Sequence, residues 1–159
     1  MPSHNPNQNH LLATLPTAAL ESLSADLKLV PMRLGDMLYE PGKHLQHAYF
    51  PTTAVVSLHY ITAAGESAET TAVGHEGMIG VSFFMGGRIT TGSAVVQTGR
   101  HGYRLDHRLL VLAFDQGGAL QRALLRYAQA LLTQIGQTAV CYRHHSELGR
   151  LRGLEARTK

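Results

Sequence analysis

Tryptophan is absent, and aromatic residues fill only 6% of the 159 positions, so aliphatic side chains must build the core. The single cysteine, Cys141, excludes an internal disulfide and a four-thiolate zinc or iron–sulfur site; it reads as a packed thiol. No apolar run approaches the roughly 18 residues of a membrane span. Lys and Arg are missing from Met1 to His10, and the apolar piece that follows is short and broken by Pro16. That is no secretory signal, and the chain reads as cytoplasmic. Excess charge is missing from most of the sequence: residues 1–142 balance nine basic against nine acidic side chains. The net +3 comes from residues 143–159, where Arg143, Arg150, Arg152, Arg157 and Lys159 face Glu147 and Glu155. Such a basic end suits a solvated helix C-terminus better than a nucleic-acid surface.

Glycine is plentiful, and it gathers. Six of the 26 residues from Val73 to Thr98 are Gly. This stretch holds a tight turn (Gly74 to Gly80), a small apolar cluster (Val81 to Met85), a loop with Arg88, and a strand-like run from Ser93 to Gln97. Glycines let a backbone approach a ligand closely, and successive N–H groups in such a turn form anion-binding nests. The order turn, short helix, loop, strand is that of a phosphate-binding cassette in a small barrel.

Around it the pattern is mostly β. Residues 1–10 read as a flexible arm, and Ala18 to Leu27 as a short helix that Thr17 caps. From Lys28 to Leu105, short alternating runs broken by Gly35-Asp36, Pro41-Gly42, Ala64-Gly65 and Gly99-Arg100 give about eight strands. That spacing predicts an eight-stranded jelly roll over residues 11–115 with short flanking helices. Asp106 caps a helix from His107 to Phe114. A long amphipathic helix then fills 116–148, ahead of a basic tail over 149–159. Leu120, Leu124, Tyr127, Leu131, Ile135, Thr138 and Tyr142 form one face. A second side that includes Leu125, Ala128, Leu132, Ile135 and Ala139 is expected to meet the same helix of a second copy.

These elements and several short runs resemble the Crp/Fnr family of bacterial transcription regulators, and more specifically its effector domain. The runs are N-H-L-L-A-T-L-P (Asn9 to Pro16), L-Y-E-P-G (Leu38 to Gly42), A-Y-F-P (Ala48 to Pro51), V-G-H-E-G-M-I-G (Val73 to Gly80), S-A-V-V-Q (Ser93 to Gln97) and C-Y-R-H-H-S (Cys141 to Ser146). The resemblance implies a homodimer with a pocket for a cyclic nucleotide or another small effector, formed by Gly77, Met78, Ile79, Gly80, Arg88, Ser93 and Ala94. It also implies two departures. Met78 stands where cyclic-AMP-binding members carry the Glu that bonds the ribose. Gly92 stands where they carry the Arg that pairs with the cyclic phosphate. A buried phosphate without a cation is costly, so standard cyclic-AMP binding is not expected. Family members continue into a winged helix-turn-helix, whereas this sequence ends at Lys159. The expectation is a sensing and dimerisation domain without its DNA-binding half, and specific DNA binding is not expected of it.

Two other readings compete. One is an interaction module that forms heterodimers with full-length relatives. The other is a cupin-like metal enzyme, suggested by His44, His47, His59 and His75. Cupins need H-x-H, because alternate strand residues share a face. His44 and His47 are H-x-x-H, so no metal site is expected, and no catalytic Ser/His/Asp set or paired carboxylate stands out.

Overall fold

The computed structural model describes residues 3–87 and 90–157, with Tyr142 and residues 144–157 described by backbone alone. Among the described residues seven strands form, one fewer than the turn spacing predicts: β1 (Lys28–Met32), β2 (Met37–Tyr39), β3 (His47–Pro51), β4 (Val55–Ile61), β5 (Ser67–Val73), β6 (Gly92–Thr98) and β7 (Arg100–Asp106). They make two antiparallel sheets, ordered β1-β7-β3 and β2-β6-β4-β5. The cassette adds no strand, in keeping with its reading as a turn and a short helix. Between Gly74 and Gly87 the chain contributes a single bridge, Ile79 with Tyr49, and then winds into a 3-10 turn over Val81–Met85. Gly80 and Gly86 bracket that turn at φ of 110° and 89°, a region closed to most L-residues, which is why the apolar run coils there instead of extending.

Strand alternation splits the core in two. Ala48, Phe50, Tyr103 and Leu105 pack with Leu11, Leu12, Leu23, Leu110 and Leu124 from the helices. Met32, on the opposite face of the same sheet, packs with Val56, Val73, Ile79, Ala94 and Val96. Each fully buried Leu, Ile, Val or Phe contributes about 1.5–3 kcal/mol.

Among the described residues four α-helices flank the sheets: α1 (His10–Ala13), α2 (Thr17–Ser24), α3 (His107–Asp115) and α4 (Gly118–Arg157). Asp106 caps α3 through the Arg108 N–H at 2.9 Å. Thr17 begins α2 rather than capping it; Pro16 holds the cap position and offers no side-chain bond. α4 runs 40 residues, about 60 Å. It passes through Gly136 and continues well into the stretch read as a separate basic tail. Cys141 is exposed on it, not packed.

The N-terminal arm also departs from expectation. Asn5 caps a 3-10 turn over Pro6–Gln8 with a reciprocal Gln8 bond. Asn9 is fully buried. Its amide donates to the carbonyls of Pro51 and Gly77, each at 2.8 Å, and its Oδ1 accepts from the Leu12 N–H. The His10 N–H donates to the His75 carbonyl at 2.6 Å. The segment next to the cassette is therefore docked, because its polar groups find partners there. Among the described residues no helix is long and apolar enough to cross a membrane.

Candidate functional site

The cassette is fixed from three sides. Asn9 holds the Gly77 carbonyl. Ile79 exchanges both backbone bonds with Tyr49, at 2.8 and 3.0 Å. From α4, the Tyr127 hydroxyl donates to the Met78 carbonyl at 3.2 Å. A Cβ on Gly77 would collide with the Tyr127 ring and hydroxyl, so glycine is what lets the long helix sit against the cassette. Further along the helix, Gln134 donates from its amide to the Thr71 hydroxyl at 2.5 Å, tying α4 to β5.

Between these elements lies a cavity of about 280 Å³. Met78, Ile79, Gly80, Val81 and Ser82 form its cassette side, and Leu131 and Ile135 of α4 close another wall. Tyr39, Leu58 and Tyr60 come from the strands, Leu45 from the loop before β3, and Thr90 and Thr91 from the loop before β6. Among the described residues no lining side chain is charged. The polar groups are hydroxyls: two phenols, one serine and two threonines. Burial, reinforced by nearby Tyr60, pushes the Tyr39 phenol up to about 12. Burial also raises Tyr127 to about 12, against the lowering effect of its bond to Met78.

These two phenols make alkaline stability testable. Both stay neutral in the fold up to about pH 12, whereas an unfolded tyrosine ionises from 10 upward. Below pH 10 neither group makes stability pH-dependent. Between 10 and 12 the unfolded chain alone loses the protons, and stability falls by about 2 kcal/mol per tyrosine. Burial raises Tyr49 and Tyr103 in the same direction, so urea midpoints across that window are expected to drop steeply in the wild type and less steeply, but still measurably, in Tyr127→Phe.

Of the residues expected at the pocket, Met78, Ile79 and Gly80 line the cavity, whereas Gly77 lies beneath Tyr127. Ser93 and Ala94 do not line it: they belong to β6, opposite His59 and Leu58, and Ala94 is buried in the core between the sheets. Arg88 lies outside the described residues. Gly92 has a structural reason to be glycine, because a Cβ there would run into the His59 carbonyl of β4. Tyr39, Leu45, Tyr60, Ser82, Thr90 and Thr91 were not singled out by the sequence; hydroxyl residues on short strands and loops carry no spacing signal.

The partner-facing set needs correction as well. Leu125, Leu132 and Ala139 are exposed, but Ala128 is buried and Ile135 lines the cavity. At 3.6 residues per turn, Ala128 and Ile135 follow Leu124 and Leu131 toward the barrel. The exposed seam instead reads Leu125, Gln129, Leu132, Gly136, Ala139, at spacings of four and three. A Cβ on Gly136 would meet nothing within 4 Å. Arg126 is exposed, and with Tyr127 it borders a separate groove beside His10 and Glu76. Among the described residues no three His, Cys, Asp or Glu side chains converge on a metal position.

No family model and no curated protein matches the sequence. Solved structures do match, and they are Crp/Fnr-type regulators and cyclic-nucleotide-binding-domain proteins. The N-terminal domain of a transcriptional regulator from Streptomyces coelicolor A3(2) is 22% identical, with a TM-score of 0.61 over 85% of this chain and 95% of that one. DNR from Pseudomonas aeruginosa is 18% identical, with a TM-score of 0.62 over 94% of this chain and 61% of its own length. The regulatory subunit of a cAMP-independent protein kinase A from Trypanosoma brucei is 16% identical, with a TM-score of 0.66 over 76% of this chain and 43% of that one. The chain thus spans less than two thirds of the latter two. At these identities the likeness establishes the fold alone: a cyclic-nucleotide-binding-like roll followed by a long helix.

Proposed function

We propose that this chain is the effector-sensing and dimerisation portion of a Crp/Fnr-type transcription regulator, and that its effector is small and uncharged rather than cyclic AMP. The observation that carries the reading is the cavity wall. Its occupant would touch the cassette on one side and Leu131 and Ile135 of α4 on the other, while the opposite side of α4 presents the seam from Leu125 to Ala139. Occupancy and helix position are thereby coupled, which is what a two-state sensor requires. Hydroxyls and aliphatic groups suit a neutral ligand; among the described residues a buried phosphate finds no cation in the cavity wall, and position 92 has no room for one. The Thermus thermophilus Catabolite Activator Protein, which also shares the fold at 14% identity, supports the regulator class.

Thermal-shift titration tests this with two panels, cyclic mononucleotides and small uncharged aromatic or aliphatic compounds. A ligand specific for the folded state adds about 2.7 kcal/mol at a hundredfold excess over its Kd. At least one neutral compound is expected to give a saturable shift that Ile135→Trp, which fills the cavity from the helix, abolishes. A saturable shift with a cyclic nucleotide that Arg88→Gln removes would overturn the neutral-effector reading. No shift with either panel would leave a dimerisation module without a sensor.

A further inference from the structure

We infer, taking the cavity as the effector site proposed above, that its ligand carries a carbonyl oxygen held between the phenols of Tyr39 and Tyr60. Strand register sets both rings on one wall. β6 runs between β2 and β4. Ala94 of β6 is the direct partner of both Tyr39 and Leu58, and Gly92, two residues before it, is the direct partner of Tyr60. Direct partners, and positions two apart on one strand, share a face, so Tyr39, Leu58 and Tyr60 all lie on the inner side of this sheet. Gly92 lets the two phenols approach. Cδ1 and Cε1 of Tyr60 lie 3.4 Å from where a Gly92 Cβ would stand, so the ring leans from β4 across β6 toward Tyr39. It takes the space from which, by the family resemblance, cyclic-AMP binders project an arginine.

The two hydroxyls remain for a ligand. Thr90 Oγ1 is engaged by its own loop, accepting from the Gly92 N–H at 2.9 Å. Among the described residues Tyr39 and Tyr60 bond to no protein group, and no fully enclosed side-chain nitrogen or oxygen lacks a partner, so both hydroxyls reach open space. Tyr60 adds to burial in raising Tyr39, as a phenol close by but not bonded to it would. The Tyr39 phenol therefore keeps its proton at neutral pH and can donate it. Leu45, Leu58, Met78, Leu131 and Ile135 make the rest of the surroundings apolar. A hydrocarbon would strip solvent from both phenols and return no hydrogen bond, which is costly. An ion would lose its hydration with no counter-charge in the wall among the described residues. An alcohol would accept, but it brings a donor that needs a further partner. A carbonyl oxygen has two lone pairs and no proton, so it can accept from both phenols at once. At about 280 Å³ the cavity is at the small end of ligand pockets, which suits a one-ring ketone or lactone with its ring toward Leu131 and Ile135.

The test titrates cyclohexanone and acetophenone into the full chain, followed by protein NMR. Methylenecyclohexane and α-methylstyrene, which replace C=O by C=CH2 at nearly the same shape, run beside them, together with cyclohexanol. Each ketone is expected to bind at least about tenfold more tightly than its hydrocarbon twin. Tyr39→Phe and Tyr60→Phe should each shrink that preference, and the double variant should remove it. The infrared carbonyl band of the bound ketone should lie lower in the wild type than in the double variant, a difference that a purely structural role for the tyrosines does not produce. Tyr49→Phe, whose ring does not line the cavity, should keep the full preference. Ile135→Trp should lose both classes of compound. If the hydrocarbons or cyclohexanol bind as tightly as the ketones, and Ile135→Trp abolishes them all, the effector site stands and the carbonyl inference is overturned. If no compound binds, or Ile135→Trp changes nothing, the effector-site reading falls with it. The wild-type comparison decides the matter even if a tyrosine variant fails to fold.

Discussion

Asn9→Leu is expected to cost about 3–5 kcal/mol, more than most single substitutions in a domain of this size. The leucine fills the space but leaves three buried backbone groups without partners: the carbonyls of Pro51 and Gly77, which the Asn9 amide now serves, and the Leu12 N–H, which its Oδ1 accepts. Each orphaned group costs about 1–3 kcal/mol. Asn9→Asp should recover little, since a carboxylate would still accept from Leu12 but would face two carbonyl oxygens. Urea denaturation measures the loss. Hydrogen exchange should also quicken at Gly77 to Gly80, because the arm is one of the three supports of the cassette. A loss below about 1 kcal/mol in Asn9→Leu would mean that the arm is only loosely seated.

Leu132→Glu is expected to raise the dimer dissociation constant at least about 100-fold, some 2.7 kcal/mol. Leu125 and Leu132 are 50% and 58% exposed, on a helix whose other side is packed on the roll. Their four-three spacing with Gly136 and Ala139 is that of a two-stranded seam. Near a two-fold axis, the introduced glutamates of the two copies would bring their carboxylates together in a desolvated place. Sedimentation equilibrium of wild type and variant reads this directly, with Ala130→Glu as the contrast, since that residue is exposed but lies on neither the seam nor the cavity side of the helix and should leave assembly intact. A wild type that stays monomeric at every concentration would sink the seam.

The two outcomes bear on each other. If the cassette loosens in Asn9→Leu while the dimer persists, the roll and the seam are separable units. If both weaken together, Tyr127 and Gln134 carry strain from the cassette and β5 into α4, which is the coupling a sensor needs.

The order of elements, the run of β-type segments between Lys28 and Leu105, the caps and breaks at Asp106 and Gly117, and the amphipathic character of α4 are all legible in the sequence. These are local properties: residue period, turn chemistry and helix capping act over a few positions. Met78, Ile79 and Gly80 stand out for the same reason, because glycine density is visible in one dimension. The remaining features depend on contacts between distant parts of the chain. Asn9 sits in a polar segment that reads as loose, and it is buried only because Pro51 and Gly77, 42 and 68 residues away, present carbonyls to it. Ala128 and Ile135 share a helix pattern with Leu125 and Leu132, and the roll's position alone assigns the first pair inward and the second outward. Gly92 shows the same division: the resemblance implies an arginine at this position in cyclic-AMP binders, and the closeness of β4 explains why no side chain fits there.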